Sequence, residues 1–73
     1  MDTLYASPFS YRGVRYEIAS PDKQDNRRCA RQVTIFFSSL NKKSYMCRNC
    51  TLARAQYFAK LDIDAYYEQG DKL

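Results

Sequence analysis

Val14, Tyr16 and Ile18 fall on one face of an extended chain by the two-residue period, with Arg15 and Glu17 on the other. This alternation predicts a first strand over residues 9–18, interrupted at Gly13 and preceded by an arm over residues 1–8 that ends at Pro8. Residues 20–26, "SPDKQDN", form a turn-rich connector. Val33, Ile35 and Phe37 then alternate with Thr34 and Phe36, which predicts a second strand. "SSLNKK" reads as a hairpin loop in which Asn41 suits a positive backbone φ, and residues 44–47 as a short third strand. From Asn49 the period changes. Leu52, Ala55, Ala59, Ile63 and Tyr66 follow the three-four spacing of a helix, and Phe58, Leu61 and Ala65 widen the stripe. Asn49 or Thr51 can cap its start, and Gly70 is placed to stop it, leaving a tail over residues 70–73. The predicted architecture is α+β: a small three-stranded antiparallel sheet packed on one C-terminal helix, in one domain over residues 9–69.

The chain has 73 residues, enough for one domain and a modest core. With 45% hydrophobic and 15% aromatic residues it is not composed like a disordered chain. Twelve Lys and Arg against eight Asp and Glu leave a formal charge of +4. An excess of this size suits nucleic acid and an acidic protein surface equally well. The start "MDTLYASPFS" lacks the apolar core of a signal peptide, and no stretch approaches the about 20 apolar residues of a membrane helix. A cytoplasmic protein without membrane insertion is expected.

Three cysteines, an odd number, argue against a secreted disulfide framework. Cys47 and Cys50 form a C-x-x-C where the helix begins, and three readings compete. A zinc site would combine Cys29, Cys47 and Cys50 with Asp22 or Asp25, since the chain has no His. A redox site would use Cys47 as a thiolate stabilised by the helix N-terminus and Arg48. The third reading takes all three as small, half-buried, reduced side chains at a sheet–helix junction. No cofactor is expected. Without His there is no Ser-His or Cys-His pair, and two glycines cannot build a phosphate loop. Asp64 and Glu68, one helical turn apart, read as a solvated face. These absences predict a protein that is not an enzyme.

Gly13, between Arg12 and Arg15, marks a bulge or a close backbone approach in the predicted strand. A bulge there would shift the strand's parity and bring both arginines to one face beside Tyr11. The run Tyr11-Arg12-Gly13-Val14-Arg15-Tyr16-Glu17 resembles the opening of small cyanobacterial proteins whose uncharacterised domain often starts Tyr-Arg-Gly-Val-x-Tyr-Glu. That resemblance implies an adaptor or regulator in nutrient stress, one such role being delivery of phycobilisome antenna subunits to degradation. The same run resembles the plant AP2-type DNA-binding domain, three strands and a helix, in which strand arginines and aromatics read the major groove. Arg12 and Arg15 are the positions that would carry over.

Seven tyrosines favour an interaction module, because Tyr and Arg tend to anchor interfaces. Adjacent Tyr66 and Tyr67 cannot both face one core. The leading expectation is therefore a small basic adaptor that binds a larger acidic protein. Its contact residues would be Tyr11, Arg12, Gly13, Arg15, Tyr16, Arg27, Arg28, Arg31, Tyr66 and Tyr67. The alternative is a nucleic-acid-binding module that uses the sheet arginines, with Tyr11 or Tyr16 stacking on bases.

Overall fold

The computed structural model describes residues 5–21 and 27–70. The expectations for residues 1–4 of the arm, for Asp22 and Asp25 in the connector and for the end of the tail lie outside the described residues. Four strands precede one helix: β1 (Tyr5–Tyr11), β2 (Val14–Ser20), β3 (Cys29–Phe36), β4 (Lys42–Cys50) and α1 (Leu52–Gly70). The strands lie in the order β1-β2-β3-β4, each antiparallel to its neighbour. The α+β class and the C-terminal helix are as expected. The sheet has four strands, not three.

The extra strand comes from the segment read as one. Tyr11 pairs with Val14, and the two residues between them form a tight turn with positive φ at both positions, 54° at Arg12 and 81° at Gly13. A two-residue hairpin turn with both φ positive matches the right-handed twist of its strands. Gly13 therefore turns the chain back and makes no bulge. Residues 5–8, expected in the arm, are the first half of β1, and Pro8 is tolerated there because β1 is an edge strand.

The bulge lies elsewhere. Arg31 pairs with Cys47 but Cys29 pairs with Cys50, so β4 fits Arg48 and Asn49 opposite Ala30 alone. The extra residue shifts the parity of β4 and turns Cys50 to the same side as Cys47. The β3–β4 connection is the expected hairpin loop, closed by reciprocal backbone hydrogen bonds between Ser38 and Asn41, but Asn41 does not take the positive φ expected of it: among the described residues other than glycine only Arg12 does.

Thr51 caps the helix: its Oγ1 accepts from the Arg54 N–H at 3.2 Å and its carbonyl from the Ala55 N–H at 3.1 Å. Ala55, Ala59 and Ile63 are wholly buried against Val14, Tyr16, Ile18, Val33 and Ile35. Two alanines at the contact let the helix backbone approach the sheet closely. Burying a side chain the size of Ile63 contributes about 1.5–3 kcal/mol. The expected stripe drifts at both ends. Tyr67, four residues beyond Ile63, continues it in place of Tyr66, while Leu61 and Ala65 are exposed.

The helix covers one face of the sheet. The other face, carrying Arg15, Glu17, Gln32, Thr34, Ser44 and Met46, has no element over it among the described residues. Gln32 and Thr34 both meet the Ser44 hydroxyl there, at 3.1 and 3.2 Å. Among the described residues no helix is long and apolar enough to cross a membrane.

Candidate functional site

Most of the expected contact residues separate into three groups, with Arg15 and Tyr66 standing apart. The first clasps the β1–β2 turn to the helix. Arg12 Nη1 donates to Asp64 Oδ1 at 2.9 Å, and its guanidinium lies 4.6 Å from the centre of the Tyr67 ring. The Tyr67 hydroxyl donates to the Arg12 carbonyl at 2.9 Å, and the Tyr11 hydroxyl to Asp64 at 3.1 Å. The hydrogen bond to Asp64 raises the pKa of both Tyr11 and Arg12, by holding the protonated form of each. This clasp offsets the strain of a positive φ at a residue with a side chain. Arg12 is thus engaged within the molecule. Arg15 points to the open face, where it pairs with Glu17 and lies 5.7 Å from the Phe36 ring. The two arginines share no site, because the turn replaces the expected bulge.

The second group is internal. Tyr16 is 1% exposed, stacks on Phe9 at 5.4 Å, and its hydroxyl meets Gln56 Oε1 at 3.5 Å. Burial raises its pKa. Arg31, also 1% exposed, donates from Nε to the Cys50 carbonyl at 2.9 Å, from Nη2 to the Arg27 carbonyl at 2.8 Å, and from Nη1 to Ser20 Oγ. Neither side chain is available to a partner; both hold the core together. Tyr11 and Tyr16 face the helix-covered side of the sheet, so they offer no stacking platform on its open face.

The third group sits where β3 begins, β4 ends and the helix starts. A cleft of about 380 Å³ is lined there by Arg28, Asn49, Cys50, Thr51, Arg54 and Phe58. The Arg54 guanidinium lies 5.3 Å from the centre of the Phe58 ring, one turn away on the helix. Arg28, Arg48 and Arg54 are exposed, and none has a carboxylate partner among the described residues. Arg27, next in the chain, is exposed as well. The positive end of the helix dipole adds to their field. The carboxylates of the helix, Asp62, Asp64 and Glu68, all lie in its C-terminal half. Asp62 pairs with Lys43 and Asp64 with Arg12. Arg28, Arg48 and Arg54 thereby gather positive charge at one end of the molecule, while Lys42 beside the β3–β4 loop and Lys60 over the Tyr11 ring are exposed cations elsewhere.

Cys47 and Cys50 are joined as a disulfide with Cα atoms 5.9 Å apart. The expectation of separate reduced thiols is corrected here. In a regular strand, residues three apart face opposite ways, and the β4 bulge removes that obstacle. Cys29 is the free thiol, half-buried opposite Cys50. Among the described residues no three His, Cys, Asp or Glu side chains group as a metal site. At the far end of the helix Tyr66 remains 38% exposed and stacks on Phe37 at 4.5 Å, while Tyr67 is half-buried in the clasp.

Sequence reasoning placed Arg28 among the contact residues but missed its neighbours Asn49, Arg54 and Phe58 in the cleft. The turn spacing of Arg54 and Phe58 is visible along the chain. Their meeting with Arg28 depends on the β3–β4 register. No protein-family model, curated protein or solved structure matches the chain.

Proposed function

We propose that the protein is a small non-enzymatic adaptor that binds a larger acidic protein through the arginine-bearing end of the molecule. The observation that supports this reading is the cleft's own lining: Arg28 and Arg54 face it, Arg48 is the chain neighbour of its Asn49, and no carboxylate lines it among the described residues. Guanidinium groups there can donate paired hydrogen bonds to carboxylates, and Phe58 adds an aromatic surface beneath Arg54. The cytoplasmic setting expected from the sequence belongs to the same proposal. The phycobilisome antenna subunit that the Tyr-Arg-Gly-Val-x-Tyr-Glu resemblance implies is one partner of the right charge, and it rests on the resemblance alone. The nucleic-acid alternative relied on sheet arginines beside stacking tyrosines; Tyr16 and Arg31 are buried, Tyr11 and Arg12 are both engaged by Asp64, and Arg15 stands on the open face away from either tyrosine.

The test is to recover the partner from the native host, isolate it, and titrate it with wild type and with an Arg28→Ala/Arg54→Ala variant at low and high salt. The variant is expected to bind more weakly by about 1–3 kcal/mol, the scale of charge-assisted hydrogen bonds. Equal affinity for the folded variant would rule out this surface. Tighter binding to a single-stranded oligonucleotide than to any recovered protein, with affinity falling steeply as salt rises, would favour the nucleic-acid reading.

A further inference from the structure

The three cysteines lie on one patch of the sheet, and only two of their three pairings are within reach. Arg31, two residues after Cys29 on β3, is buried, so Cys29 and Arg31 share the helix-facing side of that strand. Cys47 lies directly opposite Arg31, and Cys50 directly opposite Cys29. Residues directly opposite on neighbouring strands have Cβ atoms about 4.5–5.5 Å apart, and diagonal neighbours stand about 7–8 Å apart. A disulfide needs Cα atoms no further apart than about 7 Å. Cys50 can therefore bond to Cys47 within its own strand or to Cys29 across the ladder. Cys29 and Cys47, on the diagonal, fall outside that range.

The geometry points to a thiol–disulfide exchange site in which the bond moves between Cys47–Cys50 and Cys29–Cys50, with Cys50 common to both. The Cys29 thiol loses its proton, and the resulting thiolate attacks Sγ of Cys50. The Cys47–Cys50 bond breaks as the Cys29–Cys50 bond forms. The Cys47 sulfur leaves with the electron pair and takes up a proton. One disulfide and one thiol are present before and after, so no oxidant or reductant is consumed. The shielding of the three sulfurs matches this division of roles. Cys50 is 5% exposed, which protects the shared sulfur from outside thiols, whereas Cys29 and Cys47 are half-buried and can each present a free thiol to solvent. The two isomers differ in what they join: one closes a short loop at the bulge, the other ties the two strands of the β3–β4 hairpin. Because Cys50 lines the arginine cleft, each isomer also sets the wall of that cleft differently.

The experiment is alkylation of the wild-type protein, purified without reductant, under native conditions with iodoacetamide, followed by peptide mapping without reduction. Label is expected on Cys29 and on Cys47, with none on Cys50, and both bridged peptides, 47–50 and 29–50, are expected. In Cys29→Ser the label on Cys47 should be lost. In Cys47→Ser, exposure to oxidised glutathione should yield the 29–50 bridge. Label confined to Cys29 in wild type would show a fixed disulfide beside an isolated thiol and overturn the proposal. So would a Cys29–Cys47 bridge in Cys50→Ser under the same treatment. The wild-type map needs no variant to fold.

Discussion

Gly13→Val separates two physical roles for the glycine at the centre of the Tyr-Arg-Gly-Val run. A Cβ built at Gly13 meets no heavy atom within 4 Å apart from its chain neighbours, so the methyl of Ala has room there. What remains is the backbone: φ is 81°, a conformation that L-residues avoid at roughly 1–2 kcal/mol, with β-branched residues the worst placed. Gly13→Ala is expected to destabilise by about 1–2 kcal/mol and Gly13→Val by at least as much. For a domain of this size each kcal/mol lowers the thermal midpoint by about 4–8 °C. Gly13→Asn should recover most of the loss, because Asn tolerates the left-handed region and is favoured in hairpin turns of this kind. Thermal unfolding followed by circular dichroism ranks the series as Gly, Asn, Ala, Val. Val at the wild-type midpoint, or Asn no better than Ala, would refute the turn argument. Binding of the isolated partner to folded Gly13→Asn is a second readout: a partner pressed against this backbone would lose affinity, whereas a turn glycine predicts none lost.

Two further perturbations test the interior. Arg31→Met leaves the Cys50 and Arg27 carbonyls without their donor and should destabilise by about 1–2 kcal/mol for each, read as a lower urea midpoint; an unchanged midpoint would mean that water or other groups replace the guanidinium. Among the described residues the buried Tyr45 hydroxyl has no partner at hydrogen-bond geometry, and burial, reinforced by the nearby Asp62 carboxylate, raises its pKa. The raised value favours the neutral phenol in the folded state. The stability tied to it is fully present below the ordinary tyrosine value of about 10 and is lost as pH rises above that. Tyr45→Phe should therefore match or exceed wild type at neutral pH and flatten the loss of stability above about pH 10; a steeper alkaline loss in the variant would contradict this.

The alternation of Val14, Tyr16 and Ile18, the run from Val33 to Phe37 and the three-four stripe through Ala55, Ala59 and Ile63 were legible along the chain, because each rests on a period within one element. They yielded the class, the helix and most of the core. The β1–β2 turn was half legible. Gly13 signalled a special backbone, but Arg12 is not the Asn or Asp usual beside it. It adopts a positive φ because Asp64 and Tyr67, far along the chain, hold it there. The same dependence on distant residues hid the cysteine pairing and the cleft. One extra residue in β4 decides that Cys47 and Cys50 share a side, and a register can be known only when both strands are in place. Arg31 looked like surface charge in a basic cluster. Only the packed structure shows three acceptors converging on it, and a buried guanidinium is tolerable only where such acceptors exist. Local periods built the elements, and tertiary contacts decided which charges were used inside the molecule and which were left at its surface.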